Sequence, residues 1–293
     1  MQPVCALLLL TLSLSFPSDA VSRRKQTPGL DGPSQLLRTT SRHESRRLAF
    51  GGTLTIVGAP EGSITIEGWS RNEVDIRAQI QLRADTEADL DLLAAVNNFS
   101  IDEDMNHVRV LSTGTHDKVF MKAVAKKFPK ALLGLPWKID YRIRVPFATD
   151  LEINAGQGAI NLAGVEGNIQ LSATESEANL QLSGGTFSAT MAAGKLNLNI
   201  PLRSWRGVGG EVRLAAGEVT VELPPGFNGD IDAEILRSGQ ITDSYGELEP
   251  REKPGITSQV MKARAGAGGA FFQFTVGDGA INIKRQQTVD SRQ

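Results

Sequence analysis

Apolar and polar residues alternate with a period of two over most of the chain after Leu48. Clear examples are LTIV at 54–57, SITI at 63–66 and EVDIRAQIQL at 73–82. This alternation is typical of half-buried β-strands, in which one face packs in the core and the other faces water. The chain therefore predicts an all-β body.

The region from Leu151 to Leu223 repeats this pattern in short pieces whose centres recur about every 10 residues. One piece, GAINL at 158–162, returns as GAINI at 279–283. Short internal repeats predict stacked units that bury their apolar faces only against each other. Glycine opens most pieces, at Gly158, Gly167, Gly194, Gly210 and Gly217.

Two architectures are compatible with these strands. The glycine turns allow antiparallel hairpins, as in a β-sandwich or meander, or the corners of a β-solenoid whose single-stranded rungs run parallel. Asparagines that recur near the strands favour the solenoid, because stacked amides can form ladders. They are Asn154, Asn161, Asn168, Asn179 and Asn197. We expect a β-solenoid, with the sandwich or meander as the alternative.

Two short helices are predicted within the strand array. Thr86 is a suitable N-cap for a helix over 88–96, with Leu90 and Leu93 on its apolar face. A second, basic amphipathic helix is predicted over 117–128, within an insertion at 114–138.

The basic helix has two possible roles. It could dock on a membrane or partner, through a surface formed by Lys118, Lys122, Lys126, Phe120 and the nearby Trp137. It could instead cover an exposed flank or end of the strand array, where unpaired strand edges invite aggregation.

The N-terminal region has a different character. An apolar run of about a dozen residues, Val4 to Phe16, is too short to span a bilayer, which takes roughly 20 residues. Small residues follow at Ser18 and Ala20, so we predict a cleaved signal peptide at 1–20, with an uncleaved anchor as the alternative. No membrane span is then expected in the mature chain.

The segment that follows the predicted signal peptide, 21–47, carries seven basic and two acidic side chains and shows no period, so it predicts a disordered basic linker. The folded domain is then expected at 48–285, with a polar tail at 286–293.

Few residues are available for catalysis. The one cysteine, Cys5, lies in the predicted signal peptide, so a mature chain would have no disulfide and no catalytic or metal-binding thiolate. His43, His107 and His116 form no metal-binding motif. The net charge of −2 gives no reason to bind nucleic acid. We therefore expect no metal and no cofactor.

Acidic groups are the remaining candidates for chemistry. Asp102, Glu103 and Asp104 are consecutive, and Asp230, Asp232 and Glu234 alternate along one strand. Carboxylates aligned on a β-wall could serve a polysaccharide lyase or hydrolase. The alternative is a solvated strand face, which alternating acids usually form.

Four motifs in order suggest a family. They are GSITIEGWSRNEVDIRA (62–78), DYRIRVP (140–146), the repeats that begin at Gly158, and GEVTVELP (217–224). With these motifs the chain resembles, over about 50–285, the bacterial "putative adhesin" family, a domain of unknown function. The resemblance implies a right-handed β-solenoid with single-stranded rungs at the cell envelope. The insertion at 114–138 departs from the family pattern.

The expected function is that of an exported structural or binding protein in the periplasm, on the cell surface or secreted. It would present a repetitive β-surface to an envelope glycan, a lipid surface or a protein. The alternative is the carboxylate-based lyase or hydrolase.

Overall fold

The chain folds mainly as β-strands. The computed structural model describes residues 35–124 and 128–287. Its helical elements are α1 (Glu87–Val96), α2 (Lys118–Val124) and a 3₁₀ turn at Lys130–Leu132. The strands, in chain order, are β1 Leu36–Arg47, β2 Gly52–Val57, β3 Ile64–Trp69, β4 Glu73–Ala84, β5 Asn98–Asp104, β6 His107–Thr113, β7 Trp137–Pro146, β8 Thr149–Ala163, β9 Asn168–Gln181, β10 Gly184–Asn199, β11 Arg206–Leu223, β12 Gly229–Ser244, β13 Leu248–Pro250, β14 Val260–Ala265 and β15 Phe271–Arg285. The all-β prediction is confirmed.

A single sheet connects these strands. Its main path runs β1-β4-β7-β3-β8-β9-β10-β11-β15-β12-β14-β13, while β2 pairs with β6 and β8, and β5 pairs with β6. From β8 to β11 consecutive strands pair in parallel, and β15 inserts between β11 and β12. Because consecutive strands here are parallel, they do not form the hairpins of a meander.

From β8 to β10 the parallel strands repeat every eighteen residues, whereas the step to β11 is longer, with Gly194 opposite Gly217. Leu151 in β8 lies opposite Ile169 in β9, and Leu180 in β9 lies opposite Leu198 in β10. Each of these strands contains two of the short apolar pieces seen in the sequence. The expected repeat of about 10 residues was therefore half of the true unit, because local alternation does not show where one turn of the repeat closes on the next.

A column of small residues marks the junction between the two pieces of each strand. At Gly279 the backbone φ is +144°, and a Cβ there would lie 1.7 Å from the carbonyl oxygen of Gly217. Only glycine accepts such a conformation without strain. We call it the glycine column; its members, in register, are Gly158, Ser176, Gly194, Gly217, Gly279 and Gly239.

Alternate side chains of the strands fill a continuous apolar core. Residues of adjacent strands stack in columns there, for example Leu162, Leu180, Leu198, Val221 and Ile283, each no more than 2% exposed. The complementary positions face outward. This alternation decides which side chains are available to a ligand.

Residues 36–47 are not disordered, which corrects the predicted linker. They form β1, which pairs antiparallel with β4 along its whole length. Side chains of β1 also make ion pairs and hydrogen bonds to other segments. Arg42 donates to the carbonyl oxygen of Phe99 at 2.7 Å and lies 4.3 Å from the centre of its ring. These partners are distant in sequence, so the polar segment gave no local sign of its structure.

The ends of the chain, 1–34 and 288–293, lie outside the described residues. The predicted signal peptide with Cys5, the first part of the predicted linker and most of the polar tail therefore fall there. Helix α1 agrees with its prediction: the Thr86 hydroxyl accepts from the Asp89 N–H at 3.1 Å, and Leu90 and Leu93 are buried.

Candidate functional site

A groove of about 1090 Å³ lies against strands β1, β4, β7 and β8 and the loop that precedes β3. Its charged lining includes His43, Arg77, Lys138, Asp140 and Arg142. In β7 the residues on either side of Lys138, Asp140 and Arg142 are all buried. The alternation that buries the apolar residues thus directs these polar groups into the groove.

A line of ten polar residues begins in this groove and crosses the sheet; we call it the polar row. Its members lie directly opposite one another on neighbouring strands. Because neighbouring strands lie about 4.8 Å apart, the row is roughly 43 Å long. The polar row comprises His43, Arg77, Arg142, Thr65, Asn161, Asn179, Asn197, Thr220, Asn282 and Thr242.

The middle of the polar row is an amide ladder. Asn179 donates to the side-chain oxygen of Asn161 at 3.1 Å, and Asn197 donates to that of Asn179 at 2.8 Å. All three are half-buried. An amide group has two donor hydrogens and two acceptor lone pairs, so these contacts leave hydrogen-bonding capacity for a ligand.

The amide ladder agrees with the prediction from the sequence for three of the five asparagines. Asn154 lies opposite Ser172 outside the polar row, and the backbone N–H of Asn168 donates to Asp150.

One end of the polar row is basic; we call His43, Arg77 and Arg142 the basic end. These residues lie opposite one another on three neighbouring strands. Arg142 is exposed and makes no salt bridge to any residue that the structure describes. Like charges directly opposite each other destabilise an antiparallel pair. The basic end therefore presents positive charge that the groove only partly neutralises.

Asp75 lies beside the basic end and is 7% exposed. It bonds His43, and its carboxylate lies 3.3 Å from both Arg77 and Arg144. Burial acts to raise the pKa of Asp75, but the His43 bond and the charges of the two arginines outweigh it. The pKa of Asp75 is therefore below its ordinary value, and the group stays ionised.

Asp140 is held in a similar way on the floor of the groove. It accepts from Lys138 at 2.8 Å and from the backbone N–H and hydroxyl of Ser63 at 2.8 and 2.9 Å. Burial raises its pKa, yet these bonds dominate and the pKa of Asp140 is lowered. A general acid at neutral pH needs a raised pKa, which neither Asp75 nor Asp140 has.

Two of the acidic residues singled out in the sequence are paired with arginines of other segments. Asp230 binds Arg264 at 2.7 Å, and Asp232 binds Arg251 at 2.6 Å. The bond to Arg264 also holds the pKa of Asp230 below its usual value.

The remaining acids fit the same description. Asp102 binds Arg109 at 2.9 Å, Glu103 lies 3.3 Å from Arg46, and Asp104 and Glu234 are exposed. In the described part of the chain, no three His, Asp or Glu side chains converge as metal ligands would. The acidic strand faces thus have the character of solvated, charge-paired surfaces.

The predicted basic surface is only partly assembled. Lys118 and Lys122 on α2 are exposed and Phe120 is half-buried, whereas Lys126 lies outside the described residues. Trp137 does not belong to a surface, which corrects that part of the prediction. It is 7% exposed because β7 directs it inward, 5.3 Å from the ring of His116. No helix within the described ranges is long and apolar enough to cross a membrane.

The basic end and most of the polar row were not anticipated from the sequence. A partial signal was available in DYRIRVP, where Arg142 and Arg144 alternate with buried residues. The alignment of Arg142 with Arg77 and His43 depends on strand pairing, which no local pattern reveals.

Comparison with known proteins reveals only remote similarity. No family model and no curated protein matches the chain. A "putative cell adhesion protein" from Clostridium sporogenes is 13% identical, with a TM-score of 0.45 over 84% of this chain and 100% of that chain. A "putative adhesin" from Bacteroides fragilis is 15% identical, with a TM-score of 0.28 over 87% and 99%. The function is therefore argued from the geometry of the site.

Proposed function

We propose that this protein is an exported binding protein, without catalytic activity, that holds an extended envelope glycan along the polar row. The observation that carries the proposal is the line of ten polar positions across neighbouring strands, of which only Thr220 is buried. A glycan offers many hydroxyl groups and few charges. Amides and hydroxyls with spare donors and acceptors are suited to bind it.

A lipid surface or a docked protein fits the polar row less well. Membrane-surface binding relies on exposed apolar residues and a positive face. The rows beside the amide ladder instead carry acidic groups such as Glu177 and Glu218. A protein interface usually has an apolar centre, whereas the amide ladder is polar throughout. Among the envelope components, a glycan is therefore the partner that we propose.

We also propose that the parallel strands wind as a β-solenoid, with the polar row along one wall. Strand β8 has 15 residues and would extend about 50 Å if straight. Only residues 164–167 connect it to its parallel neighbour β9, and four residues reach at most about 14 Å. A strand that bends at the glycine column would bring its two ends close enough for this connection.

Export is proposed from the N-terminal apolar run and the small residues after it. The absence of catalysis is proposed because most of the acidic residues singled out in the sequence are paired with arginines instead of converging in one groove. Fractionation of the source cells, followed by detection of the protein in the envelope or the medium, tests the first point. The second point, the absence of catalysis, is tested by looking for fragments of the bound glycan in the experiment described next.

The test is binding of the full-length protein to an array of envelope polysaccharides, followed by calorimetric titration with a ligand that binds. Replacing Asn179, the centre of the amide ladder, by Val should weaken binding about tenfold, since about 1.4 kcal/mol of hydrogen bonding is lost. The matched control is Gln170→Val, on the same strand but outside the polar row. It should bind like the wild type.

Three outcomes would contradict this proposal. They are no binding to any glycan, equal losses in Asn179→Val and Gln170→Val, and release of shortened fragments from the bound glycan. The thermal midpoint of each variant is measured alongside, so that a loss of folding is recognised as such.

A further inference from the structure

The basic end has a chemistry different from that of the rest of the polar row. Arg77 and Arg142 occupy directly opposed positions, where side chains lie about 5 Å apart. Both are exposed and line the groove. Arg77 is 3.3 Å from Asp75, a separation longer than that of a strong charge-assisted hydrogen bond. Two adjacent guanidinium groups thus retain donors directed toward the open groove.

An anion placed between these two arginines would remove their mutual repulsion. A carboxylate accepts two parallel hydrogen bonds from a guanidinium, and it can also bridge two of them. His43 is the next member of the row, but its Nε2 bonds Asp75, so the two arginines supply the donors. Asp75 remains ionised beside the basic end and limits the excess positive charge. The site therefore suits an isolated anionic group better than a dense polyanion.

Acidic side chains around the groove also disfavour a dense polyanion. Glu61 and Asp140 line it, and Glu67 lies opposite Arg144 in the neighbouring row. A phosphate backbone or an anionic membrane would bring many negative charges close to these groups. A glycan with occasional carboxylates would place one at the basic end and its hydroxyls along the amide ladder.

We propose that the basic end selects acidic glycans, in which a sugar carboxylate binds between Arg77 and Arg142. This inference rests on the proposed function and specifies its ligand class, a polysaccharide that contains uronic acid. The remaining members of the polar row then contact neutral parts of the same chain.

The test compares two short probes: an oligogalacturonate methyl ester with a single free carboxylate, and the fully methyl-esterified form. Titrated into the full-length protein, the acidic form should bind about tenfold more tightly, as expected for one charge-assisted contact. Added salt should weaken the acidic form more than the ester, because it screens the exposed charges.

The variant that tests the site is Arg142→Gln, which keeps a polar side chain and removes the charge. It should lower the affinity for the acidic probe to that for the ester and leave the affinity for the ester unchanged. The matched control is Arg213→Gln: Arg213 is 65% exposed on β11, opposite Thr190 and outside the polar row. It should bind both probes like the wild type.

Stability provides a second readout for Arg142→Gln. Because the variant removes a repulsion, its thermal midpoint should be equal to or above that of the wild type. A lowered midpoint would assign Arg142 a structural role and overturn the proposal.

Other results separate the two proposals. Equal binding of acid and ester would overturn carboxylate selection while leaving glycan binding intact. If phosphatidylglycerol vesicles bind the wild type but not Arg142→Gln, the basic end binds a lipid surface, and carboxylate selection is overturned. Failure of every glycan to bind would overturn the proposed function itself.

Discussion

At the scale of single residues, the glycine column sets a strict steric limit. Gly279 adopts a left-handed φ, and its α-carbon approaches the backbone of Gly217 so closely that a Cβ cannot fit. The neighbouring atom is a backbone carbonyl oxygen, which cannot move aside as a flexible side chain could. The junction between the two halves of β15 therefore depends on glycine, whereas β9 has Ser176 at the equivalent position.

We expect Gly279→Ala to lower the free energy of unfolding by about 3 kcal/mol, from backbone strain and the steric clash together. Urea denaturation measures the change. Gly134→Ala is the control, because Gly134 has nothing within 4 Å of its would-be Cβ and no left-handed φ. Its stability should stay within about 0.5 kcal/mol of the wild type, and an equal loss in both variants would contradict the steric explanation.

Asp140 gives a pH-dependent contribution at the same scale. Its pKa is lowered in the folded protein from an ordinary value of 3.8, so the ionised form is stabilised by folding. This stability is fully present above about pH 4 and is lost as the pH falls through the folded-state pKa. Asp140→Asn should cost about 1–2 kcal/mol at pH 7 through its weakened bonds to Lys138 and Ser63.

The measurement for Asp140 is urea denaturation of the wild type and Asp140→Asn between pH 7 and pH 2. The difference in stability should be constant down to about pH 4 and shrink below it. A difference that is independent of pH would show that the carboxylate charge does not contribute.

At the scale of elements, β1 is an edge strand held by side chains as well as by its backbone pairing. Arg42 contacts the Phe99 carbonyl and ring, and Arg38 binds Glu87 and Asp91 of α1. Such contacts favour one docked position for a strand that has little apolar surface of its own. Without them, a polar edge strand would open readily.

Arg42→Ala should therefore increase hydrogen exchange in β1 about tenfold, corresponding to roughly 1.4 kcal/mol of local stability. Exchange followed by mass spectrometry resolves the strand. Arg47→Ala, an exposed position at the end of the same strand, is the control and should leave exchange unchanged. Acceleration spread equally over the whole sheet would contradict a local role.

Helix α2 has the amphipathic character that its sequence pattern predicts. Met121 is 8% exposed while Lys118 and Lys122 face solvent, as an amphipathic helix requires. Binding of this helix to a membrane or partner stays a prediction. Its burial of Met121 is compatible with the covering role.

At the scale of the whole molecule, the domain begins at β1 and not at Leu48. Removal of β1 would expose the edge of β4 and part of its apolar face. Unpaired strand edges of this length promote aggregation. The basic end would also lose His43.

We expect a fragment of residues 48–293 to be less stable than one of residues 35–293, and to aggregate on heating. Light scattering and the thermal midpoint compare the two. Equal midpoints would show that β1 is dispensable and that 48 is the true boundary. Full-length protein provides the reference for both fragments.

Much of the fold could be predicted because strand alternation is local. Each run of alternating apolar and polar residues predicted a strand and its buried face. Thr86 predicted the start of a helix, and the glycines predicted the bends. Three members of the amide ladder were anticipated because they recur at equivalent positions. The eighteen-residue unit was missed, since two halves of a bent strand have the same alternation as two separate strands.

The sequence by itself thus determined most of the secondary structure after Leu48 and the inward and outward faces of its strands. Only the tertiary structure decided the order of the strands, with β15 between β11 and β12, and the placement of β1 against β4. It also decided that His43, Arg77 and Arg142 share one row. The reason is physical: alternation is set by neighbouring residues, whereas register and strand order are set by packing between segments far apart in the chain.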